Sequence, residues 1–185
     1  NSVKIFQLIE PLNLSFETLN GIKLHPWKYE EKPQTPEGIV CRFSDRIAYL
    51  AHDIEDAIRA GILTEKDIPL NIINTIGSPG KQWINSLVAG VFKASDNSKI
   101  DMDKEILECM NELRTFMFER VYIREETKKE RLNAKNIIEK LVISFEEDPS
   151  LLPPNYQNNQ SNIENAVDYV AGMTDRYAIK KYQEL

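Results

Sequence analysis

The segment from Thr35 to Gly61 constrains this chain more than any other. Thr35 is a good N-cap residue, Pro36 follows at the first helical position, and Glu37 sits where the helix dipole favours an anion. Apolar residues then recur at helical spacing as far as Ala60, and Gly61 is a natural residue for a helix to stop on. The pattern predicts a helix of about 26 residues, roughly 39 Å long at a rise of about 1.5 Å per residue. An amphipathic helix of that length has to be covered by other apolar surface. The rest of the sequence supplies helices to do so, because no stretch alternates convincingly at period two. The predicted fold class is all-α.

Helix punctuation divides the remainder. A short helix is predicted through the first eight residues, ending before Pro11, and a second from Ser15 as N-cap to near His25 and Pro26. Trp27 to Gln34 is polar and contains proline, so it reads as a loop. Thr64 opens a short helix. Ser78 followed by Pro79 repeats the cap-then-proline start, for a helix to about Ala94. Further helices are predicted from about Asp101 to Tyr122 and from about Glu125 to Glu146. Pro153 to Ser161 reads as a flexible connector, and Ser161 as the cap of a last helix reaching about Tyr182.

Composition narrows the function classes. Apolar residues make up 42% and charged residues 28% of the 185, ordinary for a globular domain with a sizeable core. The net charge of −6 and the lack of a basic stripe disfavour nucleic acid as a partner. No run of 18 apolar residues is available to span a membrane, and the N-terminal residues do not form a signal peptide. Cys41 and Cys109 lie far apart without a CxxC pair, so two buried, reduced thiols and a cytoplasmic location are expected. The sequence begins at an asparagine, and a piece of something longer is expected.

On a helical wheel the Thr35–Ala60 segment has two sides. One carries Ile39, Val40, Phe43, Ile47, Leu50, Ile54, Ala57 and Ile58 and should face a core; the other carries Arg42, Asp45, Arg46, Tyr49, His52, Asp53, Asp56 and Arg59. The polar side is either a solvated face of weak pairs such as Asp56 with Arg59, or the wall of a site. In its favour as a site, Asp45, Tyr49 and Asp53 are spaced i, i+4, i+8. A carboxylate can bind a metal, a phenol can donate to phosphate, a second carboxylate can accept from a sugar hydroxyl, and Arg42 or Arg46 could offset a polyphosphate.

Three blocks of text are more specific than this pattern. TPEGIVCRFSDRIAYLAHDIEDAIRAGIL (35–63), LRTFMFERVY (113–122) and VDYVAGMTDRYAI (167–179) resemble, in the same order, segments of the C-terminal part of bacterial dGTPase-like deoxynucleoside triphosphate triphosphohydrolases, within the HD-domain phosphohydrolase superfamily. NLSFETLNGIKLH (13–25) looks like the stretch before them. The resemblance implies an HD-domain-like helical bundle, with residues 1–62 as the C-terminal part of the catalytic domain and 63–185 as an additional helical region. It implies an enzyme that releases a deoxynucleoside and intact triphosphate. A divalent metal (magnesium, manganese or another transition metal) would be held by a His, a His-Asp doublet and a final Asp.

Asp45, in SDRIAY, matches that final Asp. The other ligands are expected upstream, which would leave this chain inactive alone and without bound metal. His52-Asp53 is not the metal doublet, because related sequences also carry HD after the AY of this helix. Arg46 and Tyr49 resemble phosphate-contacting residues, and Asp53 an aspartate that holds the sugar 3′-hydroxyl. Arg114, Phe118 and Tyr122 repeat the i, i+4, i+8 spacing. In relatives such as the mammalian SAM-and-HD-domain enzyme that row resembles Arg, His, Tyr around the nucleotide, so Arg114 and Tyr122 join the substrate-binding set while Phe118 has no polar group to offer. Partners implied are a deoxynucleoside triphosphate and further copies of the chain in a homo-oligomer. The alternative reading is a non-catalytic helical module for nucleotide binding or oligomer assembly. MTDRYA (173–178) reads as helix packing, and His25 as a surface histidine closing a helix.

Overall fold

The structure is a computed structural model and describes residues 2–125, 128–157 and 161–185. Among the described residues there is no strand, and the all-α expectation holds. Nor is any helix there long and apolar enough to cross a membrane. By contact the chain forms two compact units, residues 15–124 and residues 1–14 with 125–185. This grouping answers a different question from the boundary expected at 62–63, which followed a resemblance.

The unit of residues 15–124 is built around the long helix. α2 (Phe16–Leu24) is capped by Ser15, whose hydroxyl accepts from the Thr18 amide. α3 (Pro36–Arg59) begins where Thr35 accepts from the Gly38 amide at 3.1 Å and ends two residues before Gly61, whose φ of 68° is the left-handed region favourable to glycine. The 3₁₀ turn Glu65–Asp67 carries a reciprocal capping box with Thr64. α4 (Leu70–Ile76), α5 (Lys81–Ala94) and α6 (Lys104–Met117) follow, and α6 continues as a π-helical turn, Phe118–Tyr122. α3 packs on α2, α5 and α6, and α4 on α5 and α6. The core joins Phe43, Ile47, Leu50 and Ile54 of α3 to Ile72, Ile76, Trp83, Leu87, Met110, Leu113 and Met117.

α2 meets α3 at two glycines. A Cβ on Gly38 would stand 2.6 Å from the Pro33 side chain and 3.4 Å from the Gly21 backbone, so the loop before α3 and the helix before the loop both close onto this point. Arg42 secures the same loop from the other side. Its guanidinium donates to the carbonyls of Leu24 (2.7 Å), Tyr29 (2.7 Å), Glu31 (3.1 Å) and Pro26 (3.3 Å), and the Trp27 indole N–H donates to the Arg42 carbonyl at 2.9 Å. His25 closes α2, with Nδ1 2.8 Å from the Ile22 carbonyl.

In the other unit, α1 (Ser2–Lys4) runs on as a π-helical turn, Ile5–Ile9, and α7 (Lys128–Glu147) packs against α8 (Asn162–Ala171) and α9 (Asp175–Glu184). Leu141, Phe145, Leu152, Ala166, Tyr169 and Val170 make its core. Lys4 reaches the buried Asp168 at 2.7 Å.

Five expectations need correction. α5 starts at Lys81, not at Ser78: Gly77 and Gly80 take φ values of 90° and 103°, and the Trp83 indole N–H donates to the Gly77 carbonyl, so the Ser-Pro pair sits in a turn before the helix. The last helix is two, broken at 172–174, where Thr174 accepts from the Tyr177 amide and caps α9. The described part of the connector after Pro153 holds a 3₁₀ turn, Pro154–Tyr156, whose tyrosine ring packs 5.0 Å from that of Tyr169; residues 158–160 lie outside the described residues. Cys41 is exposed; Cys109 is buried, and burial pushes its thiol up to about 11. On α3, Val40 is exposed, while Arg42 and Arg46, assigned to the polar side, are buried. Arg42, whose guanidinium is taken up by four backbone carbonyls, is set aside as a candidate for polyphosphate contact.

Candidate functional site

The row on α3 and the row on α6 with its π turn face one another. The Tyr122 hydroxyl donates to Asp53 Oδ2 at 2.5 Å, linking residues 69 apart in sequence. The Tyr49 ring stacks on the Tyr122 ring with centroids 6.0 Å apart and planes 19° from parallel. Phe118 meets Tyr122 edge-on at 5.2 Å, and the Arg114 guanidinium lies 4.6 Å over the Phe118 ring. The Ile123 amide bonds back to the Phe118 carbonyl, five residues earlier. A π turn advances through less than the α-helical ~100° per residue, so Tyr122 stays closer to the line of Arg114 and Phe118 than an α-helical continuation would leave it.

Burial raises the Tyr122 hydroxyl above the usual phenol range, and its hydrogen bonds with Asp53 and Tyr49 push it the same way. Tyr122 therefore stays a neutral donor, and Asp53 a half-buried acceptor with one oxygen engaged. Tyr49 and Arg114 are exposed, as is His52, so the two members of the His52-Asp53 pair point to different surroundings.

Arg46 is the least ordinary group here. It is 6% exposed, its guanidinium carbon stands 4.1 Å from the Trp27 ring centre, and one terminal nitrogen donates to Asn111 Oδ1 at 2.5 Å. Its Nε is buried with no hydrogen-bond partner among the described residues. Burial, then the nearby Arg114 and Arg42, lower its affinity for the proton to about 10, so it is charged at neutral pH. No carboxylate among the described residues pairs with it. A buried cation with only neutral partners is an arrangement that an arriving anion would stabilise.

Asp45 is exposed on α3, one residue before Arg46. Among the described residues no three His, Cys, Asp or Glu side chains converge to hold a metal ion. Asp45 by itself does not make a metal centre.

The structure thus brings Arg46, Tyr49, Asp53, Arg114 and Tyr122 to one place, with Asp45 beside them. Two residues of the cluster were not anticipated, Trp27 and Asn111. Asn111 had a sequence signal: it precedes Arg114 by three, so extending that row backwards by one turn reaches it. Trp27 had none, since it comes from a loop.

The fold is all-helical, and comparisons with known proteins point to phosphohydrolase-type relatives. Residues 100–184 match the family model described as phosphohydrolase-associated domain. Among curated proteins, the chain is similar over its whole length to the deoxyguanosinetriphosphate triphosphohydrolase-like protein of Caldanaerobacter subterraneus subsp. tengcongensis, at 36% identity and covering 56% of that protein. It is similar to that of Clostridium perfringens at 38% identity, covering 58% of it, and to that of Desulfatibacillum aliphaticivorans at 30% identity over 95% of this chain and 56% of that protein. The chain spans a little over half the length of the curated relatives it matches, and the resemblance carried by the three sequence blocks holds from end to end.

Proposed function

We propose that this chain forms the nucleotide-receiving part of a deoxynucleoside triphosphate triphosphohydrolase, which releases deoxynucleoside and intact triphosphate. The observation that carries the reading is Arg46: a buried, charged guanidinium without a carboxylate, beside Arg114 and across from a tyrosine–aspartate pair. The names of the relatives supply the substrate class.

In this reading Arg46 and Arg114 offset the charge of the polyphosphate, and Tyr49 donates a hydrogen bond to it. Asp53 accepts from the sugar 3′-hydroxyl through the oxygen that Tyr122 leaves unoccupied, while Tyr122 fixes the carboxylate orientation. The stacked Tyr49 and Tyr122 rings form an apolar wall beside the sugar. Asp45 is assigned as one ligand of a divalent metal whose other ligands come from outside the described residues. Such an ion would supply charge neutralisation and an activated water. The described residues offer too few ligands to hold it, so turnover is assigned to a protein of the relatives' length.

Product analysis tests the proposal. The full-length gene product should convert dGTP, or another deoxynucleoside triphosphate, to deoxynucleoside and inorganic triphosphate. Asp45→Ala should lower turnover at least about 100-fold with loss of bound metal. Release of pyrophosphate or single phosphate, or unchanged turnover in Asp45→Ala, would contradict the assignment.

A further inference from the structure

The surroundings of Arg46 have a common property: every group that holds it is neutral. The Trp27 face attracts a cation through its ring quadrupole without cancelling its charge. Asn111 accepts one hydrogen bond through an amide oxygen, where an aspartate of the same size would have accepted a charged, bidentate pair. Arg42, 5.0 Å from the same indole ring, is likewise satisfied by backbone carbonyls. Elsewhere the chain does pair its cations with acids, as in Arg59 with Asp56 and Lys4 with Asp168. Around Trp27 it gathers Arg42 and Arg46, with Arg114 near by, and supplies neutral acceptors only.

We infer that Trp27 and Asn111 are positioning residues for Arg46: they fix its guanidinium between the loop before α3 and the face of α6 while leaving its charge uncancelled, so that the missing counter-ion is the polyphosphate of the ligand. This rests on the nucleotide reading above and adds to it two residues that touch no reacting atom. The stack on Trp27 sets the guanidinium plane. The Asn111 bond fixes its rotation about that plane. The buried Nε is one donor left without a partner among the described residues. Asn111 lies one turn before Arg114 on α6, so the same helix places the aligning amide and the second cation.

Asn111→Asp separates a positioning role from a merely structural one. Asn111 is exposed and the substitution is isosteric, so the fold is retained, and the carboxylate strengthens the bond to Arg46. In the full-length protein, Asn111→Asp should keep or raise the melting temperature, yet weaken binding of inorganic triphosphate about tenfold or more. For dGTP hydrolysis, KM should rise by a similar factor with kcat changed far less. Trp27→Phe, which keeps an aromatic face, should retain most of the affinity, whereas Trp27→Leu should lose it with the helical content unchanged. Wild-type affinity for triphosphate in Asn111→Asp would overturn the inference, and so would failure of the wild-type protein to bind triphosphate. If triphosphate binds and Asn111→Asp weakens it while no deoxynucleoside triphosphate is hydrolysed, the positioning role stands and the nucleotide reading falls. If Asn111→Asp hydrolyses dGTP at the wild-type KM, the reverse holds.

Discussion

Arg42 and Arg46, one helical turn apart on α3, are both buried and do different work. Arg42 holds four carbonyls of the 24–31 loop; Arg46 has one amide and an indole face. Replacing Arg42 with Met should therefore cost about 3 kcal/mol or more, because it strands buried carbonyls that the guanidinium now satisfies. Replacing Arg59, which pairs with Asp56 at the exposed end of α3, should cost about 0.5 kcal/mol or less. Denaturant unfolding of the two variants measures the contrast, and equal midpoints would refute it. The sequence places both arginines on the polar side of the wheel and cannot separate them. Their burial depends on the 25–34 loop folding back over α3, a contact between residues that the local pattern does not connect. The rows Asp45–Tyr49–Asp53 and Arg114–Phe118–Tyr122 were legible because helical spacing is local. That they face each other through Tyr122 and Asp53 is a tertiary fact.

At the scale of elements, helix starts were readable at Ser15, Thr35 and Ser161, where the cap's own side chain reaches the backbone. The reading failed at Ser78, where two glycines with positive φ and the Trp83 indole bond form a turn that delays α5. It failed again at Thr174, where a capping threonine followed by an acidic residue was taken into a continuous helix. The close approach of α2 and α3 was not legible either, because a glycine in a helix only discloses its purpose when its neighbour is known. Gly38→Ala should destabilise the protein by about 1–3 kcal/mol, since its methyl meets Pro33 and the packed backbone of Gly21 has little room to move. Thermal unfolding of that variant checks this, and an unchanged or raised melting temperature would show that the loop yields without strain.

Across the whole molecule, one unit holds the α3–α6 cluster and the other is a helical packing unit around α7, whose described buried residues are apolar or aromatic apart from Asn165 and Asp168. The apolar cavity of about 620 Å³ between α7, α8 and α9, lined by residues such as Ile137, Val142 and Val170, offers no charged group suited to a polyphosphate beyond exposed Glu130 and Asp175, which would repel one. The proposed nucleotide role rests on the cluster on α3 and α6. That claim is tested most directly by equilibrium titration of the full-length protein with dGTP, comparing wild type with Arg46→Met. The account predicts that the wild-type protein binds and that Arg46→Met, which keeps the stem's packing on Trp27 but removes the charge, loses at least about tenfold in affinity. Equal affinity in the two proteins would contradict it.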